Sequence, residues 1–220
     1  MKFLSIDSPL MQFLSKAADL MLLSLLFVAF SLPILTIGPA ATAMYSVFIK
    51  RSNGYEGSVI PVFWKGFREN LKNALVIEAI FIPFILVAAG LVYLVSEGVA
   101  DRSFPLMIVC FTPAMLTVFA LSYAFPLTAQ FENTPGATVK NAYIMAVGSF
   151  PTALAVAGIN LLPAILALIS REYFFKSLPF FTFIGFSVMG WADEKLLRRV
   201  FRKFFPKEPD GEKTESTENE

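Results

Sequence analysis

The chain has 220 residues, 56% of them hydrophobic and only 16% charged, with a formal net charge of +1. A water-soluble domain carries about 25% charged residues, and here the apolar excess is gathered into blocks near the thickness of a bilayer's hydrocarbon core. Histidine is absent and Cys110 is the single cysteine, which removes the commonest general base and metal ligand and excludes an intrachain disulfide.

In chain order, five stretches are expected to cross a membrane: Leu20 to Ile37, Ala74 to Val95, Pro105 to Thr128, Tyr143 to Ser170 and Ser177 to Trp191. The predicted fold class is therefore an all-α integral membrane bundle of five transmembrane helices plus amphipathic interfacial helices. The first stretch is uncharged, and Gly38-Pro39 behind it is expected to end the span and turn the chain. Ala40 to Ile49 then reads as a small-residue helix suited to close packing. Ala41-Thr42-Ala43 has the form of a signal-peptide cleavage site. The stretch before it is long for a signal, and Asp7 and Asp19 precede it, so it is read as a retained span. Pro33, Pro83, Pro126, Pro151 and Pro163 punctuate the spans and are expected to kink them, which neighbouring helices tolerate.

Two basic segments flank these spans. Pro61 to Lys72 reads as an interfacial amphipathic helix, with Phe63, Trp64, Phe67 and Leu71 on one side and Lys65, Arg68, Glu69 and Lys72 on the other. Lys195 to Phe205 repeats the device, with Leu197, Val200 and Phe201 opposite Arg198, Arg199, Arg202 and Lys203. The apolar side of residues 193–207 suits lipid better than bases, so nucleic acid is not an expected partner, whereas the bilayer is. Of the 18 basic residues, 13 fall in residues 50–72, at Lys140 or after Trp191. The positive-inside rule then places the N-terminus outside and the C-terminus in the cytoplasm. Residues 208–220 carry six acidic residues and no aromatic, a composition expected to be disordered.

At an offset of 68 residues, Lys72-Asn73-Ala74 reappears as Lys140-Asn141-Ala142, and Pro83, Leu86, Ala89 and Gly90 match Pro151, Leu154, Ala157 and Gly158. The match suggests a parallel repeat of helical hairpins, a construction used by transporters. Glu78 and Asn160 are the polar residues at depth; a charge there is a default functional hypothesis, while an asparagine more often ties helices together. Asp19 and Asp193 lie at span ends and read as ordinary flanking charges. No phosphate-binding loop, nucleophile elbow or zinc-binding helix motif occurs, so neither enzymatic chemistry nor a cofactor is expected.

Several strings occur together in order: Thr36-Ile37-Gly38-Pro39-Ala40 with Ala43-Met44-Tyr45, Phe67 with Asn70-Leu71-Lys72, Tyr123-Ala124-Phe125-Pro126-Leu127, Phe131-Glu132, and Val139 before Lys140-Asn141-Ala142. Over residues 10–200 this order resembles the YesL-like family of bacterial polytopic membrane proteins. The resemblance implies a multi-pass protein of the bacterial plasma membrane associated with carbohydrate uptake, with sugar ATP-driven importer subunits as partners. Residues 131–150 lack the glutamate-alanine-alanine string of an importer's own permease, so an auxiliary component is expected. A stand-alone small-solute transporter and a regulator acting through the basic C-terminal helix are the alternatives. Gly38, Pro39, Lys72, Asn73, Glu78, Pro126, Glu132, Lys140, Asn141 and Asn160 are the candidate positions.

Overall fold

The computed structural model describes residues 9–96 and 104–205. The acidic segment 208–220, Lys2, Asp7 and Arg102 lie outside the described residues, as does the side chain of Cys110. Among the described residues every regular element is helical: α1 (Pro9–Ser31), α2 (Ile37–Ser52), α3 (Val59–Ser96), α4 (Phe104–Gln130), α5 (Pro135–Gly148), α6 (Phe150–Asn160), α7 (Leu162–Ile169), α8 (Arg171–Phe180) and α9 (Phe186–Phe204). A 3-10 turn (Ile34–Thr36) precedes α2, and a π-helical segment (Phe181–Gly185) joins α8 to α9. Four stretches are long and apolar enough to cross a membrane, Leu10–Phe30, Val59–Leu91, Phe111–Gln130 and Arg171–Phe204, and a fifth if α5 and α6 form one bent span. Where these helices begin and end differs from expectation in four places, each with a local cause.

Leu20 to Ile37 is not one helix. The chain leaves α1 at Ser31, because the residue before a proline is driven out of the helical region and Pro33 itself is extended (φ −74°, ψ 114°). Gly38 and Pro39 do not make the turn; they belong to the first turn of α2, where a proline forfeits no hydrogen bond. The Thr36 hydroxyl lies 2.6 Å from the Phe30 carbonyl and 2.7 Å from that of Pro33, acceptors that the break releases. Thr42 and Ala43 are buried inside α2.

The amphipathic segment 61–72 is not a separate interfacial helix. It is the first part of α3, whose 38 residues extend about 57 Å at 1.5 Å per residue, nearly twice a hydrocarbon core of about 30 Å. Its apolar side packs on protein: Val62 and Phe63 are buried with Leu23, Val47 and Phe48, and Phe67 joins them. Trp64 stays 52% exposed. α2 runs antiparallel to α3, with Gly66 facing Ala43 and Ser46 at one end and Glu78 facing Gly38 at the other. A Cβ on Gly66 would stand 2.9 Å from that of Ser46, so small residues let these two backbones approach.

Tyr143 to Ser170 divides among three helices. Ser149 (φ −136°, ψ 48°) ends α5, and α6 departs at 109°. Pro151 and Pro163 occupy the second positions of α6 and α7, so they begin helices where kinks within one were expected. The Tyr123 hydroxyl donates to the Ser149 carbonyl at 3.3 Å, and Thr134 caps the start of α5 by accepting from the Ala137 amide.

The fifth stretch is longer than expected. α8, the π segment and α9 form one apolar rod from Arg171 to Phe204, with no boundary between a span and a basic interfacial helix. The π segment follows Pro179, and Ser24 of α1 donates to the Phe181 carbonyl at 3.0 Å. Leu197, Val200 and Phe201 do not face lipid; they enter the larger core beside Leu127, Met145 and Val156. The opposite side, with Lys195, Arg199, Arg202 and Lys203, is exposed, and the Lys195 ammonium sits 3.5 Å from the Trp191 ring centre.

Candidate functional site

The buried face of α9 can be followed backward from the apolar stripe: Phe201, Leu197, then Asp193 and Glu194, then Gly190 and Ser187, all enclosed. Helical spacing alone carries Asp193 into the bundle. It is 0% exposed, which overturns its reading as an ordinary flanking charge. Its Oδ2 accepts two hydrogen bonds, from the Tyr45 hydroxyl at 3.0 Å and from the Asn160 side-chain amide at 2.8 Å. Its Oδ1 is enclosed with no hydrogen-bond partner. Burying an ionised carboxylate is expensive unless it is paired, yet among the described residues no lysine or arginine pairs with this one. The adjacent acid, Glu194, is matched by Arg198, whose Nε and Nη2 each donate at 2.8 Å.

Three elements meet at this carboxylate. α2 supplies Tyr45 from its buried, small-residue face. α6 supplies Asn160, its last residue before the chain breaks at Leu161, and the same amide also donates to the Val156 carbonyl at 3.0 Å. Both Tyr45 and Asn160 line a cavity of about 250 Å³. Phe27, Phe125, Pro126, Phe186, Met189 and Gly190 form much of its remaining wall. The cavity thus lies where α1, α2, α4, α6 and α9 converge, with a mostly apolar lining and a polar cluster on one side, the usual build of a small-molecule site. Among the described residues no group of three acidic or cysteine side chains could hold a metal ion.

Glu78 performs a different task. Its Oε2 accepts from the Gly38 amide at 3.1 Å, placing a carboxylate at the positive end of α2, where the helix dipole favours it. Gly38 has no room for a side chain: a Cβ there would stand 2.5 Å from Phe125 Cε1 and 2.9 Å from Glu78 Oε2. Pro39 and Pro126, the chain neighbours of Gly38 and Phe125, are both buried. Of the expected positions, Asn160 and Pro126 therefore reach the cavity, and Gly38, Pro39 and Glu78 brace its α2–α4 wall. Lys72, Glu132 and Lys140 are exposed, and Asn73 and Asn141 half-buried; none of these five lines the cavity. Tyr45 and Asp193 are the members that sequence reasoning missed. The signal for Asp193 was its position four residues before Leu197, in register with the apolar stripe.

Residues 20–94 match a family model described as "Protein of unknown function, DUF624". The match covers α2 and most of α1 and α3, and it includes Tyr45 but neither Asn160 nor Asp193. No curated protein and no solved structure matches the chain.

Proposed function

We propose that this protein is a multi-pass component of the bacterial plasma membrane that binds a small solute in the cavity beside Asp193 and moves it across the bilayer. The observation that carries this is the cavity itself, about 250 Å³ at the meeting of five helices, with a broken helix ending in its wall at Asn160. Discontinuous helices in a membrane bundle serve solute sites because their ends offer polar backbone at depth. No catalytic step and no cofactor is assigned. The basic segments, residues 50–72 and the end of α9, are assigned to the cytoplasm by their charge asymmetry, and the start of α1 is assigned to the same side, because α1 lies antiparallel to α2 with Asp19 paired to Arg51 and Leu23 beside Val47. Single cysteines replacing Arg68 and Arg199 in a Cys110→Ala background would then be labelled from the same surface; labelling from opposite surfaces removes this orientation. Transport is tested in proteoliposomes with radiolabelled amines, amino acids and monosaccharides. Protein-dependent, saturable uptake of at least one is expected, with loss on Leu121→Trp, which fills the cavity. No uptake of any, or uptake indifferent to Leu121→Trp, refutes the transport reading.

A second reading follows from the YesL-like resemblance: an auxiliary component of carbohydrate uptake that works beside sugar ATP-driven importer subunits. The exposed basic side of α9 favours it, since Leu197, Val200 and Phe201 are committed to the core and Lys195, Arg199, Arg202 and Lys203 are left open to a partner. The cavity does not suit a sugar, whose hydroxyls would go unpaired against phenyl and methyl groups, so carbohydrate would enter through the partner. Copurification of an importer subunit, lost when those four residues become glutamine, is the expected result; an unchanged set of copurifying proteins counts against it.

A further inference from the structure

The sign of the charge around the cavity narrows its ligand. We infer that the cavity accepts a small organic ammonium compound, its alkyl groups against Phe27, Phe125 and Phe186 and its charge balanced by Asp193. This rests on the cavity being a solute site, as proposed above. α1 reaches the cavity through Phe27, which is uncharged. α2 contributes the neutral Tyr45, α6 the neutral Asn160, and α4 has no charged residue from Phe104 to Gln130. On α9, Glu194 and Arg198 satisfy one another. Glu78, across the α2–α4 wall, is a second carboxylate. Asp193 is left as a buried acid without a basic partner among the described residues, one hydrogen bond behind the cavity wall, with Oδ1 uncommitted.

One further feature has the same sign. The phenyl rings of Phe27, Phe125 and Phe186 line the cavity, and aromatic faces attract cations. An anion would find no basic side chain among the residues that line the cavity. A bare inorganic cation would exchange its water for phenyl, methyl and thioether groups, an unfavourable trade. An alkylated ammonium meets both demands, because it presents hydrocarbon outward and keeps its charge.

The test uses the full chain in nanodiscs of neutral phosphatidylcholine, with binding followed by calorimetry. The probes are tetramethylammonium chloride, sodium chloride at equal ionic strength, and 2,2-dimethylpropan-1-ol as an uncharged molecule of similar shape. Saturable binding of tetramethylammonium is expected, at least about tenfold tighter than the alcohol and weakened about tenfold by Asp193→Asn. The preference between the two probes needs no variant, so it stands even if Asp193→Asn fails to fold. Equal affinity for the alcohol, saturation by sodium alone, or an affinity unmoved by Asp193→Asn overturns the inference. If the alcohol binds without preference for the cation and Leu121→Trp abolishes that binding, the ammonium inference fails while the cavity remains a solute site. If no probe binds and no solute is taken up, both fall.

Discussion

α3 and α5 open with the same residues and end differently. Lys72-Asn73-Ala74 and Lys140-Asn141-Ala142 each lead into a helix that reaches the larger core at Ile77 and Met145, and the buried positions correspond: Ala74 with Ala142 and Ile77 with Met145, all four at most 1% exposed. Eleven residues after each lysine comes a proline. α3 continues through Pro83 to Ser96, whereas α5 stops at Gly148 and the chain turns by 109° before Pro151. Proline alone cannot account for this, since both helices have one. The deciding residues lie just ahead of it: Ile80-Phe81-Ile82 in α3 against Gly148-Ser149-Phe150 in α5. Glycine costs a helix about 1 kcal/mol relative to alanine, and serine adds a smaller penalty. Gly148 also gives space to another element, because a Cβ there would lie 2.8 Å from Phe204 Cζ. A helix interrupted at that glycine lets the end of α9 dock, and α6 is redirected so that Asn160 reaches Asp193. The two segments thus correspond over their first two turns and diverge where the cavity is built.

The largest effect is expected where the second unit is made to resemble the first. Gly148→Leu puts a side chain into Phe204 and should cost about 3 kcal/mol by overpacking, seen as a lower unfolding midpoint in detergent. A midpoint within a degree of the wild type would mean that Phe204 does not depend on that glycine. Next is the acid that the first unit holds at Glu78 and the second lacks at Ala146. Gly38→Ala crowds both Phe125 and Glu78 and should cost about 2 kcal/mol, again read from the midpoint; no loss would show that the α2–α3 contact has slack. The converse exchange, Ile80→Gly, should weaken α3 by about 1 kcal/mol through helix propensity without bending it. Spin labels at the exposed positions 68 and 90 should keep their separation, and a large shortening would show that glycine suffices to break the helix. Smallest is Pro151→Ala, because Pro151 occupies an early position in α6 where no amide is required. A change below about 0.5 kcal/mol is expected, and a larger one would make the proline a cause of the turn.

Hydropathy made the helical class and most of the apolar stretches legible, because each must offer hydrocarbon to lipid or to core over many residues. It could not place the breaks. Leu32, Ile34 and Leu35 are as apolar as the helix before them, and only Pro33 and the rescue of carbonyls by Thr36 distinguish the turn. It also could not separate an amphipathic surface helix from one whose apolar stripe is met by protein. Phe63 and Leu197 carry the same pattern under either outcome, and the choice depends on partners distant in sequence, Leu23 for one and Met145 for the other. Within the site, Asn160 stood out as a polar residue in an apolar stretch. Asp193 was masked by the basic residues that follow it, although its spacing from Leu197 already placed it inside.

α3 has one consequence beyond its packing. It is continuous from Val59 to Ser96, so its lipid-embedded half and its basic half turn as a single lever. A few degrees of rocking set by bilayer thickness or by an occupied cavity would sweep Trp64 and Arg68 through several ångströms at the far end. Events at the opposite end of α3 therefore have a direct mechanical route to the segment that carries Trp64 and Arg68.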